Sequence, residues 1–261
     1  MKPPETDTEL ATRLASDAGN LLVALREQLV EMHAPTWVVM DEGDAVSQTF
    51  LAKELRGARP DDAVLSEEGL EDPRRFTSDR VWIIDPLDGT REYGSTGRTD
   101  WAVHVALWER DQFVAGAVSL PALGVTLSTD PPPEVPMVKR ERPVVVTSRS
   151  RSSFVTAVAA EAIDADVLPL GSAGAKAMAV VTGLADVYVH AGGMYQWDSA
   201  APAAVALAAG LHVSRIDGSP VVYNDPDPWL PDFLVCRSPF AEPVLAAIDK
   251  AWTDWQRSQG Y

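Results

Sequence analysis

A single cysteine, Cys236, is present among 261 residues, so no internal disulfide can form. Its position directly after the apolar run Phe233 to Val235 fits a small core residue better than a reactive thiol. Histidine is nearly as scarce: His33, His104, His190 and His212 are scattered without metal-ligand spacing, which argues against a zinc centre. No stretch of about 18 apolar residues occurs, and the opening MKPPETDTEL lacks a basic segment followed by an apolar one. The expectation is a cytoplasmic protein that does not enter a membrane. Positive charge is also in short supply, with 22 Lys and Arg against 38 Asp and Glu for a net charge of −16. Nucleic acid polymers and anionic membrane surfaces are therefore excluded as partners, because both need a positive face. A small anionic substrate stays compatible with that charge if metal ions reverse the local field.

What is present is an ordinary globular composition, 46% hydrophobic and 23% charged, in a chain long enough for one large domain or two closely packed halves. Thr6 and Glu9 form a capping-box pair at the start of a helix over 6–32, with Leu10, Leu14, Leu21, Leu25 and Met32 on one face. A short strand from Trp37 to Met40, an acidic turn at Asp41-Glu42-Gly43-Asp44 and a helix from about Ser47 to Arg56, stopped by Gly57, are expected next. Ala63 to Leu65 and Val81 to Ile84 read as buried strands, and Trp101 to Trp108 with Phe113 to Ser119 as a hairpin followed by a strand Val125 to Ser128. The stretch 129–142, holding Pro131, Pro132, Pro133 and Pro136, reads as a linker between halves at 1–130 and 143–261 of one compact unit. Beyond it, strands Val144 to Thr147, Val167 to Leu170 and Ala185 to His190 alternate with helices Ser152 to Ala162, Ala173 to Thr182 and Asp198 to Ala209. Strands near 211–215 and 233–236 and a helix from about Ala241 to Gln256, with Leu245, Ile248, Trp252 and Trp255 on one side, complete a layered α/β fold.

Three places put acids at the ends of expected elements: Glu67 with Glu68, Asp85 with Asp88, and Asp198 at the start of an alanine-rich helix. Oxygen ligands without nearby histidine or cysteine select Mg²⁺, Mn²⁺ or Ca²⁺, with Mg²⁺ the default. Such a set can hold two or three ions, and a two-metal site can activate water and stabilise both oxygens of an in-line phosphoryl displacement. Gly89 and Thr90, directly after Asp88, are placed to receive the phosphate. Each feature also has a plainer reading. Asp-Pro-Leu-Asp-Gly-Thr makes a good β-turn, Glu67-Glu68 a good solvated surface turn, and Asp198 a good helix cap.

Taken together, LSEEG at 65–69, WIIDPLDGT at 82–90, GSAGAK at 171–176, GLADVYV at 183–189 and WDSAA at 197–201 resemble the inositol monophosphatase superfamily of metal-dependent, lithium-sensitive phosphatases. Within it, DPLDGTREY and LSEE look most like the bacterial 3′(2′),5′-bisphosphate nucleotidase branch, which acts in sulfate assimilation. The resemblance implies a five-layer αβαβα sandwich, as in inositol monophosphatase and fructose 1,6-bisphosphatase, and hydrolysis of the 3′-phosphate of adenosine 3′,5′-bisphosphate. It implies that Glu67, Asp85 and the Leu87 carbonyl hold one Mg²⁺, that Asp85, Asp88 and Asp198 hold a second, and that Thr90 and Glu67 orient the attacking water. The partners it implies are a small phosphorylated substrate and Li⁺ as inhibitor, with a homodimer one assembly open to the chain.

One departure stands out. The family carries a Thr and, three residues later, an Asp upstream of its Glu-Glu motif; on the stretch 44–50 those places fall to Ser47 and Phe50, and phenylalanine accepts no proton. Asp44 substitutes, or Glu67 suffices, or activity is reduced. Substrate contacts are expected from Asp88, Gly89, Thr90, Arg91, Lys176 and Tyr195, with Arg98, His190 and Arg215 as further candidates. The alternatives are inositol 1-phosphate or fructose 1,6-bisphosphate as substrate, a haloacid-dehalogenase-type phosphatase, whose acids stand two apart rather than three, and a catalytically weak metal-binding regulatory protein.

Overall fold

The computed structural model describes residues 4–150 and 153–258. Its elements in chain order are α1 (Asp7–Glu31), α2 (Thr36–Ala58), β1 (Ala63–Ser66), β2 (Arg80–Asp88), α3 (Thr90–Gly94), β3 (Ala102–Glu109), β4 (Gln112–Leu120), β5 (Val125–Ser128), β6 (Val144–Ser148), α4 (Phe154–Ala162), β7 (Asp166–Leu170), α5 (Ala173–Val181), β8 (Val187–Tyr195), α6 (Gln196–Ala208), β9 (His212–Ser214), β10 (Trp229–Cys236) and α7 (Ser238–Ser258). The first sheet runs β1-β2-β3-β4-β5 and the second β7-β6-β8-β10-β9. Helices α1 and α2 cover one face of the first sheet, α5 and α6 fill the space between the sheets, and α4 and α7 cover the far face of the second. The five layers expected of an αβαβα sandwich are all there.

Strand β2 shows why the layers hold. Val81 and Ile83 point into the core shared with α5, α6 and the second sheet, while Trp82 and Ile84 point into the core under α1 and α2. A strand buried on both faces has no polar side, so its sequence is an uninterrupted apolar run. The two middle helices are rich in alanine because they are pressed from both sides: all of α5 and most of α6 is buried. A Cβ added at Gly116 of β4 would lie 2.5 Å from the Ala204 Cβ of α6, so small residues set the spacing of these layers.

The structure departs from the expectations in six places. On α1 the buried face is Leu10, Ala11, Leu14, Ala15, Ala18 and Leu22, whereas Leu21 and Met32 are exposed. Counting only large apolar side chains overlooked the alanines that let the helix approach the sheet. Residues 37–44 are neither strand nor turn but the first turns of α2, which buries Val39, Gly43, Ser47, Leu51 and Leu55 at a spacing of four and runs past Gly57. Tertiary packing along that stripe overrides the strand propensity of Trp37-Val38-Val39. Strand β8 continues through Gly192-Gly193-Met194-Tyr195, held by pairing of Met194 and Tyr195 with Leu230 and Trp229 of a correspondingly longer β10. Helix α6 begins at Gln196, so Asp198 sits inside its first turn and accepts the Tyr195 backbone N–H at 2.6 Å. Helix α7 buries Val244 and Ile248 but leaves Trp252 and Trp255 exposed. Finally, α4 starts at Phe154 with Ser153 as its cap, and Ser152, expected as its first residue, lies outside the described residues.

Two glycine substitutions test this packing. Gly116→Ala should cost about 1–3 kcal/mol by overpacking β4 against α6, whereas Gly57→Ala, with nothing within 4 Å of the added Cβ, should gain about 0.5–1 kcal/mol through helix propensity. Urea midpoints of the two variants measure both, and equal midpoints would contradict the tight β4–α6 spacing.

Candidate active site

Strand pairing explains how distant acids meet. β1 and β2 are parallel, with Ser66 opposite Ile84, so Glu67 follows the end of β1 next to Asp85, which stays in β2 opposite His104 of β3. β2 then breaks register against β3 between Asp85 and Asp88, at a bend that Pro86 favours, and the Asp85 carboxylate accepts the Leu87 N–H at 3.0 Å. Gly89, at φ 88°, turns the chain into α3, a left-handed geometry that glycine adopts without strain. α6 brings in Asp198, so that one carboxylate oxygen from each of Asp85, Asp88 and Asp198 lies within 4.8 Å of the others.

The electrostatics of this cluster are uneven. Asp85 is fully buried and its Oδ2 has no hydrogen-bond partner. Burial and the neighbouring Asp88 and Glu67 charges push its carboxyl well above the ordinary range. Asp198 is raised to about 6 by burial and by Asp88, and Glu67 to about 8 by burial of its inner side and by Asp198 and Asp88. Asp88 goes the other way. Burial opposes its charge, but His104, Lys176 and the Ser172 hydroxyl lower it to about 2. It accepts from Ser172 Oγ and from the backbone N–H groups of Ala173 (3.1 Å) and Gly174 (2.6 Å) at the start of α5.

Thr90 Oγ1 lies 3.3 Å from Asp44 Oδ1 and 3.2 Å from the Leu87 carbonyl. Asp44 reaches it because residues 41–44 are helical, and its carboxyl is raised to about 7 by burial and by Glu68. Asp44, offered by the sequence as a substitute, is therefore the acid beside Thr90, and the Phe50 position is not. Phe50 packs in the core under α1 and α2, and Ser47 Oγ donates to the Pro86 carbonyl at 2.6 Å.

Glu67, Asp85, Asp88, Gly89, Thr90 and Asp198 line one cleft of about 580 Å³, together with Arg91, Lys176, His190 and Tyr195. Lys176 is buried and donates to the carbonyls of Gly171 and Ser172. Tyr195 stacks on Trp197 with ring centroids 4.8 Å apart. Arg98 and Arg215 are not brought here: they are held by Asp100 and Asp232 respectively. Two residues that touch the acids, and one on the cleft wall away from them, escaped the reading of the sequence. His104, opposite Asp85 in β3, places Nε2 3.2 Å from Asp88 and Nδ1 3.1 Å from the Trp197 carbonyl, so a histidine does stand beside the acids. Ser172 caps α5 and binds Asp88, and Trp229 lines the cleft wall. The signals were a polar residue inside the apolar run 101–108, which needs a partner when buried, and a Gly-Ser pair before a helix.

A buried, unpartnered carboxylate oxygen surrounded by other carboxylates is costly without a counter-charge. The donors are all hard oxygens, so Asp85, Asp88 and Asp198, with Glu67 at the rim, fit a hard divalent cation.

The profile of the inositol monophosphatase family matches residues 4–248. The chain is 48% identical over 248 residues to 3′-phosphoadenosine 5′-phosphate phosphatase of Mycobacterium bovis, covering 90% of this chain and 91% of that one. It is 30% identical over 207 residues to the 3′(2′),5′-bisphosphate nucleotidase CysQ of Escherichia coli, covering 74% and 82%. Among solved structures, the inositol monophosphatase of Thermotoga maritima superposes with a TM-score of 0.74 at 22% identity, covering 94% of this chain and 98% of that one.

Glu67, Asp44 and Asp198 bind protons more tightly folded than unfolded. Their contribution to stability is thus present at low pH and is lost as pH rises from the ordinary carboxylate range through about 8. A divalent ion should replace those protons. The Tm gain of the metal-stripped protein on adding Mn²⁺ should therefore be larger at pH 8 than at pH 6 by differential scanning fluorimetry. Equal gains would contradict a cation seated among these groups.

Proposed function

The chain belongs to the inositol monophosphatase family, and we propose that it hydrolyses the 3′-phosphate of 3′-phosphoadenosine 5′-phosphate with Mg²⁺ as cofactor. The observation that carries this reading is Asp85 Oδ2, buried and unpartnered at the centre of the acids, in the same cleft as Gly89 and Thr90. The M. bovis relative, matched over nine-tenths of both chains, is named for that substrate.

Glu67, Asp85 and the Leu87 carbonyl would hold one ion, and Asp85, Asp88 and Asp198 a second. When bound, such ions neutralise the phosphate and make a nearby water more acidic. The chain's own groups do the rest. The Gly89 turn opens α3, leaving first-turn N–H groups without intrahelical partners and free to meet a phosphate oxygen. Thr90 Oγ1 orients the water, with Glu67 on its other side. Asp44, raised to about 7, is matched to neutral pH as the proton acceptor. The water oxygen bonds to phosphorus as the bond to the ribose oxygen breaks, and that oxygen leaves with the electron pair and takes a proton from solvent to become the 3′-hydroxyl. Asp88, already accepting three hydrogen bonds around α5, is fixed in orientation by them. His104 and Lys176 hold its charge. Arg91, exposed on the cleft wall, is the cation we assign to the second phosphate, because the Lys176 ammonium is committed to backbone carbonyls. Cytoplasmic location and inhibition by Li⁺ belong to the same proposal and follow from the family resemblance.

A phosphate-release panel tests it. With Mg²⁺, kcat/KM should be highest on 3′-phosphoadenosine 5′-phosphate, lower on inositol 1-phosphate and fructose 1,6-bisphosphate, abolished by metal removal and suppressed by Li⁺. Asp44→Asn should lower kcat at least about tenfold with Tm retained. Preference for inositol 1-phosphate would transfer the reading to that substrate, and binding of all three without turnover would make the protein a regulatory one.

A further inference from the structure

Hydrolysis needs the acids and the phosphate seat, but the cleft also has an aromatic wall. Tyr195 of β8 and Trp229 of β10 are paired opposite one another, which puts their side chains on the same face of the sheet. Both line the cleft, and they are 45% and 49% exposed. Large aromatic surface facing an acidic cleft is left over from folding and is available to a ligand.

Each ring is braced from behind. Tyr195 lies nearly parallel to Trp197, with an interplanar angle of 12°. Trp229 lies against the bare backbone of Gly193: a Cβ there would fall 2.7 Å from the indole Nε1 and 3.2 Å from Cε2 and Cζ2, and φ of 94° disfavours any other residue. His190 Nε2 contacts the Gly193 carbonyl at 2.9 Å, fixing the strand beneath the indole. The segment leading into Trp229 is clamped as well. The buried Arg75 guanidinium donates to Asn224 Oδ1 (3.2 Å) and to the carbonyls of Asp225 (2.9 Å) and Pro226 (2.9 Å). The Gln196 N–H donates to the Pro228 carbonyl at 2.8 Å, and the Trp229 N–H to Asp227 Oδ1 at 3.0 Å. A ring fixed before the ligand arrives loses little freedom on binding.

We infer that Trp229, flanked by Tyr195, is a purine-stacking wall that makes the site select nucleotide esters over phosphate esters without a base. This rests on the hydrolytic reading above and extends it. A planar base has a π-face to lay on the indole, which an inositol or sugar ring lacks.

Steady-state kinetics on Trp229→Ala and Trp229→Phe, with 3′-phosphoadenosine 5′-phosphate and with glycerol 2-phosphate as a baseless ester, test the wall. Trp229→Ala should raise KM for the nucleotide about tenfold or more, leaving its kcat and the turnover of glycerol 2-phosphate unchanged, and Trp229→Phe should restore most of the loss. An unchanged nucleotide KM, or an equal fall on both esters, would overturn the inference. Calorimetric binding of adenosine 5′-phosphate to the wild type and Trp229→Ala separates the two proposals. Binding that depends on Trp229 in a protein that releases no phosphate keeps the wall and discards the hydrolysis, while equal binding in both proteins discards the wall.

Discussion

Like charge held together in a buried place is the constraint on which the rest of this structure depends. Asp85 and Asp88 sit three residues apart with little or no exposure, and Asp198 comes within 4.8 Å of them from another layer. Left alone, carboxylates in such surroundings take up protons or repel, and both tendencies appear in the raised carboxyls of Asp85, Asp198 and Glu67. Asp88 is the acid that His104, Lys176 and the start of α5 compensate in full, whereas Asp198 stays raised despite the same two cations. The fold thus supplies enough counter-charge to one acid and too little to its neighbours. That imbalance is what a cation site requires of its protein.

The layers exist, in this view, to hold that imbalance in place. β2 is packed on both faces, so its end cannot move without disturbing two cores. β1 delivers Glu67 by parallel pairing, β3 delivers His104 by antiparallel pairing, and α6, buried between the sheets, delivers Asp198. The aspartates come from elements whose positions are fixed by apolar packing, and Glu67 from the residue directly after β1. Such support keeps ligand geometry fixed when the ligand is absent.

Much of this was legible in the residues themselves. Apolar runs ending in acids marked β1 and β2, and the joint presence of 67, 85, 88 and 198 marked the centre. The alternation after residue 143 marked the second sheet. What was not legible depended on tertiary context. Residues 37–44 have strand-like and turn-like composition yet are helical because Val39, Gly43 and Ser47 share a buried stripe. Reading that segment as strand and turn hid how Asp44, offered there only as a substitute acid, reaches Thr90: the helix brings it there. His104 was hidden for a different reason, since its partners lie in sequence-distant elements. Lys176 was expected at the substrate, but its ammonium is turned inward to backbone carbonyls.

The central claim is that Asp85 is the shared anchor of a divalent-cation cage. Titration calorimetry of Mn²⁺ into the metal-stripped protein, compared with Asp85→Asn, tests it without reference to any substrate. The account predicts saturable binding to the wild type and its loss in a variant that still melts cooperatively. Identical isotherms from the two proteins would contradict it.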